Sequence, residues 1–322
     1  MPMSNYGEFK DGISIRGMPL TTRHPGEVFW VNNSGVKEEG VLNGSDQHDG
    51  SFRRPMGTLS GAIGKCKAAR GDIIMLMPGH AENIALANAI DFTTSGIAVV
   101  GLGRGSLIPK FSWTTGAGAT IRIPVTTGNN TTFYNCQFEA NFADVTEMFN
   151  LKAADIEFHH CKFTEAGANL NFVAALGAGN GVNGLVVDHC TFVGSDASND
   201  NCIVGKGTHS DWVITNNRFA FYTAQTAGEG QIEIATDANN FLISDNYFWS
   251  TTAAVDNAFV TMAGTGNTGW ASRNYLKGVD LDADASNILG AFDVTGLGSF
   301  ENYAVMDADA NAVNFLTDDN LT

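Results

Sequence analysis

The sequence predicts an all-β parallel solenoid with a helix covering its N-terminal end. Three observations predict it. A short motif returns at a nearly constant spacing. Each repeat holds several brief runs of alternating polarity, set apart by Gly, Asn, Asp and Ser. One amphipathic segment stands just ahead of the first repeats.

The motif is read from TTFYNCQF (131–138), IEFHHCKF (156–163), LVVDHCTF (185–192), WVITNNRF (212–219) and FLISDNYF (241–248), with weaker copies GWASRNYL (269–276) and LGSFENYA (297–304). One position aligns Cys136, Cys161, Cys190, Asn217, Asn246, Asn274 and Asn302, at spacings of 25, 29, 27, 29, 28 and 28 residues. Two residues on stand Phe138, Phe163, Phe192, Phe219, Phe248, Leu276 and Ala304. A period in this range signals stacked repeats. The unit is too short and too poor in helix formers for a helical hairpin. In IEFHHCKF, Ile156 and Phe158 alternate with Glu157 and His159, which is strand periodicity. A second apolar segment recurs in each unit: MFNL (148–151), FVAAL (172–176), CIVG (202–205), IEIA (232–235), FVTMA (259–263) and ILGAF (288–292). Several short strands per repeat describe coils that bury their inner face only by stacking. Eight or nine coils are expected.

The N-terminal helix is expected within GTLSGAIGKCKAARG (57–71). Thr58 is a fit N-cap; Leu59, Ala62, Ile63, Cys66 and Ala69 share one face, and Gly71 stops the run. Strands IIMLM (73–77) and IAVVGLGRG (97–105) follow. The helix would cover an end of the stack that otherwise exposes its core. The chain therefore divides into an arm (1–27), a capping region with the helix and first coils (28–112), and the β-helix coils (113–322).

Composition narrows the partners. The 322 residues carry 18 Lys and Arg against 34 Asp and Glu, a formal charge of −16. Nucleic acid and anionic membranes need a positive surface, so neither is expected as the main partner. No apolar run is long enough to span a bilayer, and no signal peptide is read at MPMSNYGEFKDG. Five widely spaced cysteines, with no CxxC pair, read as reduced thiols of a chain made in a cytoplasm. From Gly278 onward there are nine acidic residues and no Lys or Arg, whereas residues 1–24 hold three basic and two acidic ones. The rod is thus polar along its length, and the near-neutral arm suits docking.

Several stretches imitate functional motifs. FHHCKF looks like a metal site until the repeat is seen. Cys161 is one rung of a ladder in which Cys is a small buried filler. His160 and His189 precede successive rungs and should stack, with His159 and Asp188 alongside; together they are the candidate site for a divalent ion. Because the same position elsewhere holds Asn135, Asn216, Asp245, Arg273 and Glu301, a polar bend column is the competing reading. Asp280, Asp282 and Asp284 begin like a calcium loop, but Ala285 and Ala291 stand where Gly and Glu are needed. That leaves a loose Ca²⁺ candidate against an acidic surface loop, and no other cofactor is expected. GLGRGS (101–106) follows a strand but opens no helix, so it reads as a solenoid turn rather than a nucleotide loop. His80 beside Glu82 could form an acid–base pair or pack on the next coil.

The order of amphipathic helix, GDIIMLMPGHAENI, IAVVGLGRGS and then coils with an Asn ladder resembles pectin-lyase-like right-handed parallel β-helices. More narrowly, DGISIRGMPL, HPGEVFWVNNSG and the PGHAE run resemble β-helical structural proteins of tailed bacteriophages. The resemblance implies a virion part made in the host cytoplasm, a capsid decoration or a tail fibre or spike component. It also implies contacts with other virion proteins and a homotrimer. It carries no catalytic residues. The rival is a β-helix that binds or cleaves polysaccharide, including a host surface glycan. Glycoside hydrolysis needs two carboxyl groups roughly 5 to 9.5 Å apart. The outward columns, Glu157–Val186–Val213–Leu242 and Tyr134–His159–Asp188–Thr215–Ser244–Ser272, place no carboxylates on adjacent coils of one column. The chain is read as non-enzymatic. Outward Trp249 and Trp270 and the series Tyr247, Tyr275, Tyr303 could stack on sugars, or form packing and interface contacts.

Overall fold

A computed structural model of the chain describes residues 13–15, 18–20, 26–34, 39–194, 201–221, 230–250, 259–278, 292–306 and 313–316. The chain winds into a parallel β-solenoid with three sheets. One coil shows the plan: Ile156–His159 lies in the first sheet, Lys162–Glu165 in the second and Ala174–Ala178 in the third. Each sheet adds its strands in chain order, with ten strands in the first and second and seven in the third. Among the described residues there are thus seven complete coils, fewer than the eight or nine expected. The third sheet begins later than the others, at Ile90–Asp91, and ends at Val260–Met262, past which only the Phe292–Val260 bridge extends it. The first sheet starts at Val28–Val31 and runs unbroken through residues 28–112 into the later coils.

Register puts like over like. Phe133 pairs with Phe158, Phe138 with Phe163, and Phe163 with Phe192. Inside the second sheet Phe163, Phe192, Phe219 and Phe248 form a stack with centroids 4.6, 4.9 and 4.7 Å apart and planes within 8° of parallel. That spacing matches the strand separation, so each coil's ring rests on the last. Full burial of one such ring contributes about 1.5–3 kcal/mol, which only a neighbouring coil can provide.

The bends need special backbone. Immediately before the ladder position, Asn135, His160, His189, Asn216, Asp245, Arg273 and Glu301 all have φ between 52° and 57°. This left-handed conformation favours Asn and Asp, which explains the polar column. A second such column, Asn130, Asp155, Asp211 and Asn240, turns the chain into the first sheet.

The helix is shorter than its apolar spacing predicts. It spans Leu59–Ile63, with the Thr58 hydroxyl accepting from the Gly61 N–H, and it ends at Gly64. Leu59, Ala62 and Ile63 are buried against the first coils. Beyond them the buried Asp72 carboxylate takes over: it accepts the Lys67 and Glu27 N–H groups and a two-point contact from Arg70. Ala69 then adopts φ 56°, which no helix continues. Burial opposes the Asp72 charge, but Arg70 and the backbone donors hold its pKa below the usual carboxylate value.

In the arm, Ile13–Ile15 pairs antiparallel with Met18–Leu20. At the other end, Val313–Leu316 runs antiparallel to Asn302–Met306, unlike the other neighbours in its sheet.

Candidate functional site

The bend between the first and second sheets carries most of the chemistry. Its inner rungs are Cys136, Cys161, Cys190, Asn217, Asn246, Asn274 and Asn302, all buried. Each Asn Nδ2 donates one coil back to a backbone carbonyl: Asn217 to Val187, Asn246 to Ile214, Asn274 to Ile243 and Asn302 to Ala271, at 2.8–2.9 Å. Each Oδ1 accepts the N–H of the preceding rung, as Asn246 does from Asn217 at 3.0 Å. The amides also join one another, Asn217 to Asn246 to Asn274 to Asn302. The cysteines keep half of this pattern. Cys190 Sγ lies 3.3 Å from the Phe158 carbonyl and Cys161 Sγ 3.7 Å from that of Phe133, the same carbonyl position one coil back. Cys190 N–H in turn donates to Asn217 Oδ1, so the thiol and amide sections join. All five cysteines are free and buried. Hydrogen bonding to Cys161 and burial raise Cys136, and burial followed by the same neighbour raises Cys190.

On the outer side of these coils, His159 lies between two carboxylates. Its Nε2 is 3.1 Å from Glu157 and its Nδ1 3.6 Å from Asp188. The Glu157 hydrogen bond, aided by Asp188, raises the His159 pKa; the same bond lowers that of Glu157. Asp188 also accepts from Thr215 and Asn216 and meets His189 Nδ1 at 2.8 Å. The two carboxylates come from adjacent coils but different columns, an arrangement that comparison within one column misses. They are joined through an imidazole, as an ion-pair network.

His160 and His189 do stack, with centroids 5.0 Å apart, and Tyr134 meets His160 edge-on at 5.1 Å. Burial and the neighbouring His189 lower the His160 pKa. Among the described residues no three His, Cys, Asp or Glu side chains converge as a metal ion would require. The stacked imidazoles instead line an open cleft of about 570 Å³ over three coils. Arg104 and Lys162 line it too, and loop 101–109, which contains GLGRGS, forms one wall. Asn135 Nδ2 fixes that loop by donating to the Gly101 carbonyl at 2.7 Å. Sequence reasoning missed Arg104 and Lys162; the signal was only that His160 and His189 sit one residue before successive rungs.

The other candidates fall into structural places or outside the described residues. His80 is fully buried; Nδ1 accepts the Asn33 N–H and Nε2 donates to Glu82. Glu82 in turn accepts the Leu59 N–H, so the pair anchors the helix start, and His80 packs edge-on against Phe111 of the next coil. The calcium candidates Asp280, Asp282 and Asp284 lie outside the described residues. On the late coils, Trp270 is 57% and Tyr275 52% exposed. Phe300 packs edge-on to Trp270, and Tyr303 stacks on Tyr275. Trp249 is half-buried.

No protein-family model, curated protein or solved structure matches this chain.

Proposed function

We propose that this chain is a structural protein of a virion surface, a β-solenoid of the pectin-lyase-like kind found in tailed bacteriophages. In this reading it serves as a capsid decoration or tail component. It docks through the N-terminal arm, touches other virion proteins and assembles as a homotrimer. The observation that carries the reading is the lengthwise ladder. Ring stacks and side-chain amides tie each coil to the next, and a rod built that way resists bending and local opening. The resemblance of the front segments supplies the setting. Deleting residues 1–24 tests the docking step. The remainder should fold as a β-rich protein with cooperative melting and should fail to join the particle. Normal incorporation would move the attachment to the lateral faces or the C-terminal end. Imaging purified particles should then find the solenoid at a fixed symmetric position.

A second reading is favoured by the exposed Trp270, Phe300, Tyr247 and Tyr275 on the late coils. Aromatic faces stack on sugar rings, so this ridge could hold a host surface glycan. Incubation with acidic and neutral polysaccharides, with and without Ca²⁺, separates binding from cleavage. New reducing ends or unsaturated products would make the chain an enzyme and displace the structural reading.

A further inference from the structure

The strongest unassigned feature is the cleft at the bend of the early coils. Two cationic side chains, Arg104 and Lys162, and two imidazoles, His160 and His189, line it together with Asn135. No Asp or Glu lines it, although acidic residues outnumber basic ones 34 to 18 in the chain. Neither the Arg104 nor the Lys162 side chain has a hydrogen bond or ion pair among the described residues. Five other cations are taken up: Arg70 by Asp72, Lys110 by Glu139, Arg122 by Asp91, Lys206 by Glu147 and Arg273 by Asp245. Asp188, which meets His189, is also engaged by Thr215 and Asn216. The cleft is therefore a concave surface whose two cationic side chains lack acceptors among the described residues, on a protein with an excess of acidic groups.

Its parts come from distant stretches. Arg104 is held by a loop that Asn135 pins, while Lys162 and the two histidines are set by successive bends. Tyr134 closes the floor with an aromatic edge. At about 570 Å³ the cleft has room for a molecule of one or two sugar rings. Its small span also limits the ligand. An extended polyanion would leave the cleft within a few residues and run over an acidic surface, within the ~8 Å reach of charge repulsion at physiological salt.

We propose that this cleft binds a small molecule through a carboxylate, phosphate or sulfate group, with Arg104 and Lys162 supplying charge and His160 and His189 supplying further donors. Planar Arg and flexible Lys suit the shared oxyanion chemistry of these groups.

Calorimetric titration of the full chain with inorganic phosphate, with glucuronate and with a sulfated dextran tests it. Proton NMR of the histidine ring signals runs alongside. Phosphate, glucuronate or both should bind saturably and shift the His160 and His189 signals. Phosphate alone assigns the site to phosphate groups, and glucuronate alone to acidic sugars. The double variant Arg104→Gln/Lys162→Gln should weaken binding by about tenfold or more. Its melting temperature should hold, since both side chains are exposed. Arg273→Gln removes one cation at a bend three coils away and should leave affinity unchanged. Absence of saturable binding by either small anion would overturn the proposal. So would equal weakening by Arg273→Gln, or tighter binding of sulfated dextran than of glucuronate at matched charge.

Discussion

Replacing Asn246 tests the idea that the ladder holds the coils in register. The side chain is fully buried and makes four contacts of 2.8–3.0 Å. It donates to the Ile214 carbonyl and Asn274 Oδ1, and it accepts from Asn217 N–H and Asn217 Nδ2. Asn246→Ala leaves the Asn217 N–H without its acceptor and takes a donor from Ile214. Asn217 Nδ2 keeps Val187, and Asn274 Oδ1 keeps the Asn246 N–H. One orphaned buried donor and one weakened acceptor, at about 1–3 kcal/mol each, give an expected loss of about 3 kcal/mol. Asn246→Cys should cost less, about 1–2 kcal/mol, because an S–H can donate to the same carbonyl position, as Cys190 does to Phe158. Asn246→Asp should be the worst at neutral pH, because its carboxylate would face two acceptors. Burial would raise its pKa, so its stability should recover as pH falls. Equilibrium unfolding in urea, followed by far-UV circular dichroism, measures the series. A loss below about 0.5 kcal/mol for the Ala variant, or a Cys variant less stable than the Ala variant, would refute the ladder's role.

Thiol reagents should label Cys136, Cys161 and Cys190 slowly in the native protein and quickly in denaturant. Cys66 should behave likewise, since burial pushes its thiol up to about 12; rapid native labelling would contradict the inward register. The gap in melting temperature between the wild type and His159→Gln should depend on pH. His159's raised pKa gives a contribution that is full below its ordinary 6.5 and lost as pH rises through the folded value. The lowered Glu157 contributes above its ordinary 4.5 and fades as pH falls, so the gap should be widest between those values and narrow outside them; a constant gap would count against the network. Gly101→Ala should lower the melting temperature sharply or prevent folding. The added Cβ would meet the Asn135 carbonyl oxygen at 2.1 Å, and an unchanged melting curve would show that the loop yields.

The coil architecture was legible because solenoid burial repeats itself in sequence. Inward Phe138, Phe163, Phe192, Phe219 and Phe248 recur two residues after each rung, and the register that aligns them also aligns the Asn side chains. The helix was over-read. The apolar spacing of Leu59, Ala62, Ile63 and Cys66 reports which residues are buried, not which backbone bonds close; Asp72 takes the Lys67 N–H and the Ser95 carbonyl takes the Ala69 N–H that a longer helix would need. The Ile13–Ile15 and Met18–Leu20 pair escaped notice because its two strands are only three residues each. The cleft was not legible. Arg104 lies outside the repeat phase, and nothing in the spacing links it to Lys162, 58 positions later. GLGRGS could be read as a turn, but not as a wall over the histidines.

The reversed final strand bears on how long the rod can become. A parallel coil end is a seed: a second copy could add its first strand there and continue the winding into a fibre. Parallel pairing needs evenly spaced, slanted hydrogen bonds, whereas antiparallel pairing alternates narrow and wide pairs. By laying Val313–Leu316 backwards on Asn302–Met306, the chain ends its second sheet in the wrong pattern for that addition. With the helix Leu59–Ile63 set on the opening coils, end-to-end growth is discouraged at the front and along the second sheet at the far tip.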